Sequence, residues 1–119
     1  MEIEQTKKRP SILITDDLLE IKGPSYSEDI REFYKPTLDW LDESNPIDLE
    51  CSFHYTIINS TSQKQVYQIL IRLKKFIDNG INIKINWYYD DDDEEIMELG
   101  EDFVELIEIP MLILPVKKS

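Results

Sequence analysis

The stretch that decides the fold is IDLECSFHYTIINSTSQKQVYQILIRLKKFIDNGINIKINWYY, residues 47–89. Its odd-numbered positions from 49 to 57 are apolar and the positions between them are polar, a period of two that predicts a half-buried strand. Residues 61–79 change to helical spacing, and Gly80 follows where a helix C-cap belongs. The alternation then returns over residues 81–89. A strand, a helix and a strand in this order predict a right-handed crossover between parallel strands.

The segment before this unit predicts a hairpin and a helix. Residues 11–14 and 18–22 are short apolar runs on either side of a polar turn, which is typical of two paired strands. Gly23 and Pro24 are expected to end the second of these strands. Ser25 and Glu28 match a capping box, so we expect a helix to begin there, with Pro36 kinking or shortening it.

Together these patterns predict an α/β fold. The remaining elements are expected over residues 26–43, 61–79 and 93–107 for the helices and 109–114 for the last strand. The predicted core includes Ile57 on the strand before the second helix and Leu106 on the third helix. Because the strands alternate instead of being uniformly apolar, one face of the sheet should stay partly wet. The predicted architecture is a five-stranded mixed sheet with the helices mainly on one face.

Composition and charge limit the function. The 119 residues carry a net charge of −12 and contain one cysteine, Cys51, which excludes an internal disulfide. Residues 90–108 hold 11 acidic side chains and no lysine or arginine. Such a segment repels nucleic acid and anionic membranes, because both are bound through clustered basic residues. With a polar N-terminus and no long apolar run, we expect a single cytoplasmic domain over residues 1–119.

No catalytic site, cofactor site or metal site is predicted. His54 is the only histidine and falls on the polar face of its strand, while Cys51 falls on the buried face. The acidic run lacks the alternating ligands and the central glycine of a calcium loop. We therefore expect residues 93–95 to favour a helix N-terminus and Asp90, Asp91 and Asp92 to contribute to a docking surface for a basic partner.

Asn59-Ser60-Thr61-Ser62 is the most informative segment for function. Ser60 with Gln63 three residues later matches a capping box, which explains both residues without any function and predicts that loss of the Ser60 hydroxyl removes a helix cap. Three consecutive hydroxyls exceed what a cap needs, and a kinase can reach a hydroxyl on an exposed turn. A phosphate there is also favoured by the free N–H groups of the helix N-terminus. The residues alone leave both interpretations open, with the cap favoured.

Four segments resemble one known family. They are spread over nearly the whole domain at consistent spacing: GPSYSE at 23–28, YTIINSTSQK at 55–64, WYYD at 87–90 and GEDF at 100–103. The sequence is similar to the SiaC-family regulatory phosphoproteins, also called the DUF1987 domain. The resemblance implies the STAS-like fold of anti-sigma-factor antagonists, in agreement with the predicted order of elements.

The resemblance also implies a partner switch controlled by phosphorylation. Asn59 matches the asparagine of the family motif, Ser60 the phosphoacceptor that follows it, Thr61 and Ser62 the next hydroxyls, and Lys64 the lysine. The phosphoacceptor is a threonine in the best-known branch, so Ser60 keeps the acceptor chemistry with a different side chain.

The resemblance implies three partners. They are a Ser/Thr protein kinase with a histidine-kinase-like fold, a PP2C-type phosphatase and, in the best-known branch of the family, a diguanylate cyclase. The unphosphorylated form binds and activates this cyclase in cyclic-di-GMP signalling. Thr61 and Ser62 remain alternative acceptors. A small-ligand or nucleotide-binding STAS-like domain is the alternative function.

Overall fold

The computed structural model describes residues 1–118. The strands and helices follow one another along the chain as β1 (Glu2–Ile3), β2 (Ser11–Ile14), β3 (Leu18–Ser25), α1 (Ile30–Glu43), β4 (Asp48–Ile58), α2 (Ser60–Asp78), β5 (Asn82–Asp90), α3 (Glu94–Ile107) and β6 (Met111–Val116). The mixed α/β class is confirmed. The sheet has six strands instead of the five predicted, because the two-residue strand β1 pairs with β2 at the edge.

The strands lie in the sheet in their order along the chain. The β2–β3 pair is the antiparallel hairpin that was predicted, whereas β3, β4, β5 and β6 are parallel neighbours. Each crossover therefore steps in the same direction, and right-handed crossovers then place all three helices on one face. Burial agrees with this arrangement, since Leu49, Cys51, Phe53 and Tyr55 of β4 are buried while the side chains between them are not.

Helix α3 packs unusually close to the sheet at Gly100. A Cβ atom at this position would lie 2.4 Å from Cδ1 of Trp87, which is fully buried on β5. The Trp87 indole N–H also donates a hydrogen bond of 2.9 Å to the carbonyl oxygen of Ile96, one turn earlier in α3. The glycine and the tryptophan thus fix the position of α3 over the sheet.

The start of α1 differs from the prediction. Strand β3 continues through Gly23 and Pro24 because Gly23 adopts a φ of 118° and the pairing with β4 shifts register there. Ser25 is consequently the buried last residue of β3 and not a helix N-cap. Helix α1 begins at Ile30, its N-cap residue Asp29 makes no side-chain capping bond, and the helix runs through Pro36 without being shortened.

The ends of two other elements also correct the prediction. Ile57 was expected in the core but is 55% exposed, because the pairing of β4 with β3 skips Thr56 and so interrupts the alternation of buried and exposed positions just before Ile57. Leu106 is 69% exposed, and Ile107 takes the buried position on α3 instead. Tyr34, which the pattern of α1 did not single out, is fully buried.

Candidate functional site: the turn before helix α2

The turn from β4 into α2 is capped by Asn59. The side-chain Oδ1 of Asn59 accepts a hydrogen bond of 2.9 Å from the backbone N–H of Ser62. Asn59 is therefore the N-cap, and the capping box predicted for Ser60 and Gln63 is wrong by one residue. Ser60 becomes the first residue of the helix, and it is exposed.

Ser25 anchors this turn to the interior. Its carbonyl oxygen accepts hydrogen bonds from the backbone N–H of Asn59 at 3.1 Å and from the Ser62 hydroxyl at 2.7 Å. The Ser25 hydroxyl donates to Ser62 Oγ at 2.8 Å and lies 2.8 Å from the Tyr34 hydroxyl, which lies 3.0 Å from that of Tyr55. All four of these side chains are buried. Two residues 37 positions apart thus hold the end of β3 against the first turn of α2.

The direction of this hydroxyl chain follows from counting protons. Each hydroxyl carries one proton. Ser62 donates its proton to the Ser25 carbonyl and Ser25 donates to Ser62, so Tyr34 must donate to Ser25 and Tyr55 to Tyr34. Both phenols stay protonated at neutral pH, because desolvation raises the pKa of Tyr34 to about 12 and that of Tyr55 well above its usual value. The chain is complete and ends on a backbone carbonyl.

The three consecutive hydroxyls of the turn differ in accessibility. Ser60 is exposed, Thr61 is half-buried, and Ser62 is fully buried with its proton donated inward. Ser60 also lines an open cavity of about 530 Å³ together with Arg31 and Lys64. Two positively charged side chains therefore line the same cavity as the accessible hydroxyl. Arg31 comes from α1, and no sequence pattern identified it as part of the site.

The acidic residues singled out in the sequence lie at the neighbouring turn, between β5 and α3. Asp90 is the last residue of β5, and its Oδ1 lies 3.0 Å from Nε2 of His54. His54 belongs to the face of the sheet opposite the helices. Asp91 and Asp92 are exposed, and Asp92 lies 3.6 Å from the Lys118 ammonium group. Asp93 caps α3 by accepting from the Ile96 N–H at 3.1 Å, which confirms the expected role at a helix N-terminus.

The structure thus separates the predicted site residues into two groups at one edge of the sheet. Asn59, Ser60 and Lys64 follow β4, and the acidic turn follows β5. Because β4 and β5 are parallel neighbours, their carboxyl ends meet at the same edge. Thr56, near the end of β4, lines a shared cavity with Asp90 and Asp92. Among residues 1–118, no group of three or more histidine, cysteine, aspartate or glutamate side chains is arranged to hold a metal ion.

The one-sided helix layer and the anchored turn with an exposed serine define a mixed α/β domain with an accessible hydroxyl at a helix start. A family model described as SiaC family regulatory phosphoprotein matches residues 3–116, and the chain belongs to this family. The family predicted from the four sequence segments is therefore confirmed. In the part of the chain that the structure describes, each helix is too short or too polar to cross a membrane.

Solved structures of SiaC from Pseudomonas aeruginosa share the whole fold. Apo-SiaC matches with a TM-score of 0.83 at 27% identity, over 96% of this chain and 97% of that chain. A second structure shows the diguanylate cyclase SiaD in complex with its activator SiaC. It matches with a TM-score of 0.90 at 26% identity, over 98% of this chain and 99% of that chain. An uncharacterized protein of P. aeruginosa strain UCBPP-PA14 is 30% identical over 100 residues, covering 80% of this chain and 78% of the relative.

Proposed function

We propose that this chain is a non-catalytic partner switch in which phosphorylation of Ser60 controls the binding of a regulated enzyme. The observation that carries the proposal is the contrast within one turn, where Ser60 is exposed and Ser62 is buried and hydrogen-bonded. The similarity to the activator in the SiaC–SiaD complex supports a diguanylate cyclase as the regulated enzyme. We further propose that residues 1–119 form a single cytoplasmic domain, modified by a Ser/Thr kinase and restored by a PP2C-type phosphatase.

The environment of Ser60 favours a phosphate without loss of the fold. Phosphorylation adds about 1.5–2 negative charges and three acceptor oxygens. Arg31 and Lys64 line the same cavity, and the free N–H groups of the first turn of α2 lie at the same end of the helix. The buried hydroxyl chain does not involve Ser60, so it remains intact. We expect the phosphorylated chain to be at least as stable as the unmodified one.

The partner would sense the phosphate through burial. A dianion at Ser60, three residues after the exposed Ile57, must lose water if a partner covers this edge of the sheet. The effective penalty for burying an ion is several kcal/mol, whereas an exposed ion pair contributes about 0.2–1 kcal/mol. Desolvation therefore outweighs any attraction of a basic partner by the added charge. Phosphorylation is expected to weaken binding.

The other predicted residues have separate roles in this proposal. Asn59 holds the turn as its N-cap, and Lys64, one helical turn after Ser60, is available to the phosphate or to the partner. Asp91 and Asp92 provide exposed negative charges that a basic patch of the partner can contact. Asp90 is half-buried against His54, so its contribution would be to hold the start of this turn.

Co-expression with the kinase from the same genome tests the switch. Phosphosite mapping should find Ser60 as the modified residue, and titration of the cyclase should show affinity reduced roughly 5- to 150-fold, the range of a coupling of about 1–3 kcal/mol. Ser60→Ala should bind constitutively and Thr61→Ala should behave as wild type. Phosphate only on Thr61 or Ser62, or unchanged affinity after full modification of Ser60, would show that the assignment is wrong.

A further inference from the structure

A groove with an apolar floor and an acidic rim lies between the end of β4 and helix α3. Its volume is about 280 Å³. The floor is formed by Ile57, Ile58, Ile96 and Leu99. The rim carries Asp93, Glu95, Glu98 and Asp102, and none of the described residues that line the groove is a lysine or an arginine. The surface therefore combines exposed apolar area with four negative charges.

The walls of the groove are held by the main packing of the fold. On one side, Ile57 lies near the end of the internal strand β4 and is 55% exposed. On the other side, α3 is fixed against the sheet by the close approach of Gly100 to Trp87 and by the hydrogen bond from Trp87 to Ile96. A preformed groove lowers the cost of ordering on binding, so it can contribute to affinity.

We propose that this groove binds an amphipathic helix of the partner, with apolar side chains on Ile57 and Leu99 and lysines or arginines against the rim. The inference rests on the proposed function in that the partner is the regulated protein. An extended segment cannot add to the sheet here, because β4 is already paired with β3 and β5. A volume of about 280 Å³ is large enough for single anchoring side chains of a bound segment. The four carboxylates select basic flanking residues and repel anionic ligands such as nucleotides.

The groove also connects the docking surface to the phosphorylation site. Gln63 lines both the groove and the cavity that contains Ser60, Arg31 and Lys64. Ser60 and Gln63 are three residues apart on α2, so their side chains are neighbours on one face of the helix. A phosphate on Ser60 would stand at the end of the groove, where a bound helix must pass.

Methyl NMR of the full chain tests the groove with synthetic peptides as probes. The isoleucine methyl groups would be ¹³C-labelled and titrated with an acetylated peptide of leucine and lysine at helical spacing. The signals of Ile57, Ile58 and Ile96 should shift and saturate, while those of Ile47 and Ile71, exposed on other surfaces, should stay unchanged. A scrambled peptide of the same composition and a leucine–glutamate peptide of the same spacing should bind at least about tenfold more weakly.

Two double variants with the same change in charge distinguish binding in the groove from attraction by the acidic segment as a whole. Glu95→Gln with Glu98→Gln should weaken the leucine–lysine peptide about three- to tenfold, since each exposed charge pair accounts for up to roughly fivefold. Glu94→Gln with Glu101→Gln removes the same charge from α3 at positions that do not line the groove and should change affinity less than about twofold. The inference would be overturned if the scrambled peptide bound as tightly as the ordered one, or if both double variants lost the same affinity. Chemical-shift changes centred on the methyl groups of Ile47 or Ile71 would also overturn it.

The same protein distinguishes a failure of the groove from a failure of the switch. If the cyclase still responds to Ser60 phosphorylation but Glu95→Gln with Glu98→Gln leaves cyclase affinity unchanged, the groove inference is wrong and the proposed function stands. If the peptide binds in the groove and the paired variants behave as expected, but Ser60 is never modified, the groove inference stands and the switch fails.

Discussion

Replacing Ser62 by alanine should destabilise the fold far more than replacing Ser60. The Ser62 hydroxyl donates to the Ser25 carbonyl and accepts from the Ser25 hydroxyl, and all of these groups are buried. Without it, the hydroxyls of Ser25, Tyr34 and Tyr55 have three protons but no acceptor at the end of their chain. However they turn, one buried proton remains without a partner. Leaving one buried donor unsatisfied costs about 1–3 kcal/mol, so we expect a loss of about 2 kcal/mol in the free energy of unfolding.

Ser60→Ala is the matched control for this prediction. It removes the same atom from the same turn, but at an exposed position that neither caps the helix nor joins the buried chain, so a change within about 0.5 kcal/mol is expected. Urea unfolding followed by tryptophan fluorescence and circular dichroism measures both variants. For Ser62→Ala the midpoint should fall by roughly 1 M with an unchanged slope. Two variants of equal stability would refute the role assigned to the hydroxyl chain.

Further predictions concern the cap, the helix contact and two buried groups. Asn59→Ala should lower the free energy of unfolding by about 0.5–2 kcal/mol by removing the N-cap, and a urea midpoint equal to that of wild type would contradict the cap assignment. Gly100→Ala should destabilise by about 1–2 kcal/mol, because overpacking against Trp87 exceeds the gain in helix propensity; a more stable variant in the same assay would show that α3 can move away. Burial raises the pKa of Tyr34 to about 12 in the folded state, above the value of about 10 for an unfolded tyrosine. The stability that depends on the protonated phenol is therefore complete below pH 10 and is lost as the pH rises from about 10 to 12. An absorbance titration at 295 nm should detect a tyrosine that ionises in this range in the wild type and is absent in Tyr34→Phe. Burial raises the pKa of the Cys51 thiol, so a thiol reagent at pH 8 should react slowly with the native chain and rapidly in urea, and fast native labelling would contradict its buried position.

Much of the fold was predictable because its pattern is local. The alternation over residues 47–57 and 81–89 and the helical spacing between them reflect which side of each element meets the core, and this period is visible in the sequence itself. The parallel pairing of β4 with β5 follows from the crossover rule and is confirmed. The prediction lacked one of the six strands, β1, because a strand of two residues is too short for its period to be recognised in the sequence.

The ends of elements were less predictable. Ser25 and Glu28 have the residue types of a capping box, but β3 continues through Gly23, where its pairing with β4 shifts register, and places Ser25 in the interior. Ile57 continues the apolar alternation in the sequence yet is exposed, since the pairing of β4 with β3 skips Thr56 and interrupts the alternation there. In both cases the local signal is correct for an isolated segment, and the packing of distant segments decides against it.

At the candidate site, the sequence by itself determined that Asn59, Ser60, Thr61 and Ser62 stand where a strand gives way to a helix, with Lys64 one turn further on. It also determined the acidic turn before α3, because charge is a property of composition. Only the tertiary structure decided that Ser60 is open to solvent in a cavity that Arg31 also lines, and that Ser62 is hydrogen-bonded to Ser25. The reason is physical: the four hydroxyls come from β3, α1, β4 and α2, and a hydrogen bond between residues 37 positions apart forms only after these elements pack together.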